Sequence, residues 1–238
     1  MCGRFSSSTQ LSFLLEQFRA EPAGVEGHQP SWNVAPASDI LVVMASSDGA
    51  RQLRALRWGL VPRWAKDPKA ANRMINLRAE TVREKPSWKS SLARRRCIIP
   101  IDGFYEWQDQ GKGRRKQPFY ITARDGQPLA LAGLWATWHD PAAESDGDGE
   151  LWTCTILTTT ANQLLGSVHH RMPVILPPDA WDAWLDPANT DAEQLAALLG
   201  PAPEELLALW PVDQAVGNPR NNRPELREPL EGHQAVTA

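Results

Sequence analysis

Cysteine is scarce: the 238 residues hold three, at positions 2, 97 and 154, with no Cys-x-x-Cys pair. That usage excludes a disulfide framework or a cysteine zinc cluster and fits a reducing compartment. Apolar runs of membrane-spanning length are missing, and no signal peptide precedes Cys2, so a cytosolic or nucleoid-associated protein without membrane contact is expected. An excess of positive charge is missing too, since 25 Lys and Arg face 28 Asp and Glu for a formal net charge of −3. The chain is no polycation, and nucleic-acid contact would have to come from a local basic surface. Internal repeats are absent. Neither a metal nor a cofactor is expected, because the adjacent His169 and His170 lack ligand spacing and no local cysteine or acid completes a site.

A composition of 42% hydrophobic and 22% charged residues is that of a globular chain with a substantial core. The length fits one mixed domain. Its expected bounds are residues 2–229, with 230–238 as a polar C-terminal tail. Eleven tryptophans are many for this length, and most should be core residues, with a few left as stacking platforms.

Along the chain, Ser7 and Gln10 have capping-box spacing before Leu11, Leu14, Leu15 and Phe18, which predicts a helix over 9–19. Residues 20–38 carry Pro22, Gly24, Gly27, Pro30 and Pro36 and read as loop. Strands are predicted over 40–44, 53–58, 118–123, 129–138 and 151–160, with a Gly/Lys/Arg-rich hairpin turn over 109–117. Residues 139–150 form an acidic loop, and helices are predicted over 178–185, 190–199 and 203–209. The expected fold class is α+β, an antiparallel, partly closed β-sheet or barrel core with peripheral helices.

The chemistry starts at Met1-Cys2-Gly3-Arg4. If Met1 is removed, Cys2 offers an α-amine and a thiol on one residue. An α-amine titrates near 7.7–8.0 and a lysine near 10.4, so about 10% against about 0.04% is free base at pH 7. A terminal amine therefore suits attack on a carbonyl. The thiol can add to the resulting imine and close a five-membered thiazolidine, helped by proximity. The plainer reading is an ordinary residue in a frayed terminus.

Four more segments accompany that start: Trp32-Asn33-Val34-Ala35-Pro36, Asn76-Leu77-Arg78-Ala79-Glu80-Thr81, Gly103-Phe104-Tyr105-Glu106-Trp107 and His169-His170-Arg171-Met172-Pro173. With them, from Cys2 to about residue 229, the chain resembles the SRAP-domain family, the SOS-response-associated peptidases or abasic-site-processing proteins. The resemblance implies binding of single-stranded DNA that contains abasic sites. It also implies a thiazolidine crosslink between Cys2 and the ring-opened sugar. Cys2, Asn76, Glu106 and His169 are the implied catalytic set. Arg4, Asn33, Pro36, Trp58, Trp64, Arg78 and Arg171 are the implied DNA-binding set, in a protein expected to be a monomer. The roles suit the residues. Glutamate can shuttle the protons of imine formation, histidine can assist ring opening, asparagine can orient a sugar, and arginine forks match phosphates. The family motif His-x-Arg-Met-Pro has a second histidine at x here, so the register favours His169 and leaves His170 open.

Other readings compete. Met-Cys-Gly also opens glutamine amidotransferases, whose terminal cysteine attacks an amide. A peptidase and a non-covalent single-strand binder are the remaining alternatives.

Overall fold

Alternating and β-branched stretches supply most of the regular structure in this computed structural model, which describes residues 2–46, 48–140 and 149–237. The strands are β1 (Phe5–Ser7), β2 (Glu21–Ala23), β3 (Ser31–Val34), β4 (Asp39–Ala45), β5 (Arg51–Trp58), β6 (Asn76–Arg78) and β7 (Arg96–Ile101). They continue with β8 (Gly103–Gln108), β9 (Gln117–Ala123), β10 (Leu129–His139), β11 (Glu150–Thr160), β12 (Arg171–Pro173) and β13 (Leu207–Pro211). The helices are short: α1 (Leu11–Phe18), α2 (Ala79–Glu84), α3 (Pro86–Arg94), α4 (Gln163–Gly166), α5 (Trp181–Leu185) and α6 (Ala192–Ala197). Among the described residues no helix is long and apolar enough to cross a membrane.

The fold is α+β, as expected, and the barrel is closed rather than partly closed. Strands β11, β10, β7, β4 and β5 pair in that order, and the parallel pairing of Cys154 with Trp58 joins β5 back to β11. A second, antiparallel sheet runs β13-β9-β8-β1-β3. Alternation along the barrel strands gives them two apolar faces. Leu41, Val43, Ile98 and Ala132 face out and pack with Phe18, Trp184 and Leu195 of the helices. Helices cannot enter a five-stranded ring, so the opposite face is the interior. There Val42, Leu56, Cys97, Ile99 and Cys154 form one cluster with Cys2, Phe5 and Phe104 of the N-terminus and second sheet.

Two glycines allow close approaches between segments. A Cβ on Gly103 would lie 2.5 Å from the Ile121 carbonyl oxygen and from Tyr120 Cζ. Gly59, at φ +126°, would place one 2.8 Å from the Ala71 carbonyl oxygen.

Several sequence expectations are corrected. Helix α1 is capped by Gln10 without a side-chain bond, while Ser8 and Thr9 donate their hydroxyls to Asp102, each at 2.7 Å. The capping box is therefore not used. The 20–38 loop contains β2 and β3, because β2 pairs with β5 and Phe5 pairs with Val34 of β3 across 29 residues of sequence. The helix expected over 203–209 is a 3-10 turn at Glu204–Leu206 followed by β13, whose edge pairing with β9 outweighs the local pattern. Of the acidic loop, residues 141–148 lie outside the described residues, while His139 and Glu150 pair as strand ends.

Candidate active site

The N-terminal segment enters as an interior strand. Phe5 pairs with Phe104 and Ser6 with Gly103, and the Tyr105 N–H donates to the Arg4 carbonyl at 2.9 Å. Continued along that register, Gly3 faces Glu106, which puts the glutamate beside Cys2. Cys2 and Glu106 are both buried, at 0% and 3% exposure. Asn76 arrives from another direction, on β6, which runs parallel to β11 and pairs Asn76 with Ile156. Its Nδ2 donates to the Cys2 carbonyl at 2.7 Å and fixes the first peptide units. Its Oδ1 is buried without a hydrogen-bond partner among the described residues, an acceptor available to a substrate hydroxyl.

His169 completes the group from the loop before β12. His169 Nδ1 lies 3.0 Å from the Arg171 backbone N–H and 3.1 Å from the Arg171 carbonyl, so it accepts from the first in one tautomer and donates to the second in the other. Burial holds the His169 pKa below the ordinary value, and the Glu106 charge opposes that shift. Burial pushes the Cys2 thiol pKa up, and the Glu106 charge adds to it. Glu106 thus acts electrostatically on both neighbours, and at neutral pH the site holds a protonated thiol and a neutral imidazole. His170 stacks on His169 with ring centroids 4.4 Å apart but is solvent-exposed. The adjacent histidines therefore occupy different settings, with His169 the one turned to the cluster.

The implied DNA-binding residues divide. Trp64 is 76% exposed and Arg78 is exposed, so both present free surface. Pro36 is half-buried in the turn before β4. Trp58 is wholly buried, 5.0 Å from Phe5, and its Nε1 donates to the Ile75 carbonyl. It cannot stack on a base, and its role is to hold the segment that carries Asn76. Asn33 is buried too, and its amide donates to the carbonyls of Val216, Asn218 and Asn221 at 3.2, 3.1 and 2.7 Å. Arg4 Nη1 donates to Asn33 Oδ1 and to the Val216 carbonyl. Together they tie the chain's beginning to its 216–221 loop.

Arg171 is 8% exposed and its fork is occupied: Nη1 and Nη2 donate to Glu80 at 2.8 and 3.0 Å, and Nη2 also donates to the Thr158 carbonyl. The guanidinium locks α2 against β11 and β12 rather than standing free for a phosphate. Glu80 is the partner that sequence reasoning left unassigned, although it lies in the Asn76–Thr81 segment. A cleft of about 940 Å³ between α2, α3 and α6 includes Glu80 but none of Cys2, Asn76, Glu106 and His169, so it lies apart from the cluster around Cys2.

The chain is similar to known proteins over most of its length. The family model described as SOS response associated peptidase (SRAP) matches residues 1–219. The chain is 43% identical to Abasic site processing protein YoqW of Bacillus subtilis, covering 96% of this chain and 99% of that protein. It is 31% identical to Abasic site processing protein YedK of Escherichia coli, covering 97% and 100% of the two chains. A crystal structure of a protein from Bacteroides thetaiotaomicron superposes with a TM-score of 0.82 at 26% identity, covering 96% of this chain and 99% of that one. The chain belongs to the SOS response associated peptidase (SRAP) family.

Proposed function

We propose that the protein captures abasic sites in single-stranded DNA as a covalent thiazolidine on Cys2. The observation that carries this reading is the meeting of Cys2, Asn76, Glu106 and His169, brought by four separate segments to one cluster in which Cys2 and Glu106 are buried and Asn76 and His169 half-buried. The relatives' printed name, abasic site processing protein, supports the substrate class. Removal of Met1 converts the Cys2 amide nitrogen into a free amine. The His169 imidazole assists opening of the deoxyribose ring to its aldehyde, while Asn76 Oδ1 accepts a sugar hydroxyl. The amine adds to the aldehyde carbon, Glu106 returns a proton to the departing hydroxyl, and water leaves as the imine forms. The thiol then adds its sulfur to the imine carbon, and its proton reaches the ring nitrogen through Glu106. Overall, one water is lost. Because burial keeps the sulfur protonated, the amine is the first nucleophile and the thiol the second.

The test incubates Met1-free protein with abasic single-stranded DNA and analyses it denatured. A heat-stable band is expected, with the intact mass of protein plus DNA minus one water. Cys2→Ala should give an adduct only after borohydride reduction. A protein that retains Met1 should give none, and full-strength crosslinking by that form would sink the mechanism.

A further inference from the structure

The β8–β9 connection is longer than pairing requires. Two residues suffice for a tight hairpin, yet residues 109–116 separate Gln108 from Gln117. The excess is basic and solvent-exposed: Lys112, Arg114, Arg115 and Lys116 stand within five positions, between Gly111 at φ +90° and β9. Among the described residues none of the four forms an ion pair. Crowding like charges on one turn costs local stability, and in a chain of net charge −3 nothing in the overall composition demands it. The base of the hairpin is shaped all the same. Asp109 accepts the Gly111 N–H at 2.9 Å, and Gln110 donates to Gln108 Oε1 at 2.7 Å.

Its position gives the cluster a use. The hairpin prolongs β8, the strand that carries Glu106, and its tip lies within about 20 Å of that residue along the strand. Gln108 Nε2 donates to the Ser167 carbonyl at 2.8 Å, two residues before His169. The arm therefore leaves the molecule on the His169 side of the cluster, which is the Thr160 end of β11, where the Ala161 N–H donates to the His170 carbonyl. Trp64 lies toward the other end of β11: the Val61 N–H donates to Thr153 Oγ1, and Val61 and Ala65 pack with Trp138 and Leu151. Residues 153 and 160 of β11 are about 23 Å apart in a strand, and Asn76, which holds Cys2, pairs between them at Ile156. A strand laid across Cys2 thus has an exposed tryptophan on one side and four exposed cations on the other.

We propose that the β8–β9 hairpin is a phosphate-binding arm that engages the DNA backbone on the His169 side of the lesion, away from Trp64. The proposal rests on the DNA-capturing reading of the site and extends it with a second contact region. It is tested by fluorescence anisotropy with undamaged short and long oligothymidylates over a range of salt. Each phosphate contact on a single strand contributes about 0.7 to the slope of log K against log salt. Replacing Lys112, Arg114, Arg115 and Lys116 together by alanine should reduce the slope by roughly 2–3, the value for three or four contacts. The loss should be larger on the long strand than on the short one. Exchanging lysine for arginine and arginine for lysine at the same positions should retain the slope, which separates charge from folding. An unchanged slope in the alanine variant, with clear binding by the wild type, overturns the arm alone. Absence of salt-dependent binding by the wild type overturns the arm and the reading of the site together.

Discussion

At the scale of single residues, the site depends on one carboxylate that raises the pKa of both its neighbours. Glu106 opposes the burial that lowers the His169 pKa and reinforces the burial that raises the Cys2 thiol. Glu106→Gln keeps the shape and removes both the charge and the shuttle. Crosslinking at saturating DNA is expected to slow by about 10²–10⁴-fold, the usual worth of general acid–base help. The same substitution should move the His169 titration, followed by NMR, further below its ordinary value of about 6.5. Equal rates and an unmoved titration would separate Glu106 from both partners. The residues of this cluster were legible through the family resemblance, because a strand-end glutamate or a histidine taken alone reads as a structural residue. Their neighbours were not. That Trp58 is sealed against Phe5, or that Glu80 occupies the fork of Arg171, depends on contacts between segments far apart in sequence.

Among the elements, the Arg171–Glu80 pair joins β12 to α2 and so steadies the loop that presents His169. The hydrogen bonds from Arg171 hold the Glu80 carboxyl below its usual pKa. A depressed carboxylate stabilises the fold fully above its unfolded pKa, about 4.3, and that stabilisation is lost as the pH falls through the lower folded value. Glu80→Gln should therefore melt earlier than the wild type at pH 7, and the gap should close in acid. Arg171→Ala removes the bonds to Glu80 and to the Thr158 carbonyl, at a cost of about 1–3 kcal/mol in thermal unfolding. A stability unchanged at pH 7 in both variants would return Arg171 to the list of free cations. The same scale explains which elements the sequence revealed. β4, β5, β10 and β11 are long, and a continuous apolar run in β4, alternation in β5 and the aromatic or β-branched content of β10 and β11 make a local pattern suffice. β3 and β13 are short and become strands through distant partners, β1 for one and β9 for the other. Proline and leucine spacing in their segments pointed elsewhere, to a loop and to a helix.

For the whole molecule, the decisive arrangement is that the chain's beginning and its last third close on each other. Asn33 holds three carbonyls of the 216–221 loop and the Arg4 guanidinium, all from a buried position. Asn33→Ala should leave those groups unsatisfied and cost about 2–3 kcal/mol, which for a chain of this size lowers Tm by roughly 4–12 °C. Faster hydrogen exchange over 216–221 should accompany the loss, and full retention of Tm would show that the tie is dispensable. On the proposed chemistry, the placement of β1 also has a mechanical consequence. A captured DNA strand is anchored to the residue that leads into β1, and β1 is an inner strand, paired with β8 on one side and β3 on the other. Tension from a motor on that DNA enters along the axis of β1 and must shear both rows of backbone hydrogen bonds together. The opposite terminus is attached more weakly, since Val236 forms an isolated bridge with Leu209. In an optical trap, a crosslinked molecule should yield at a much higher force when the DNA is held against the body of the protein than when that last segment is peeled away. The lesion would then be moored to one of the strongest points of the structure, and removal of the adduct would fall to agents that unfold or digest the protein from elsewhere.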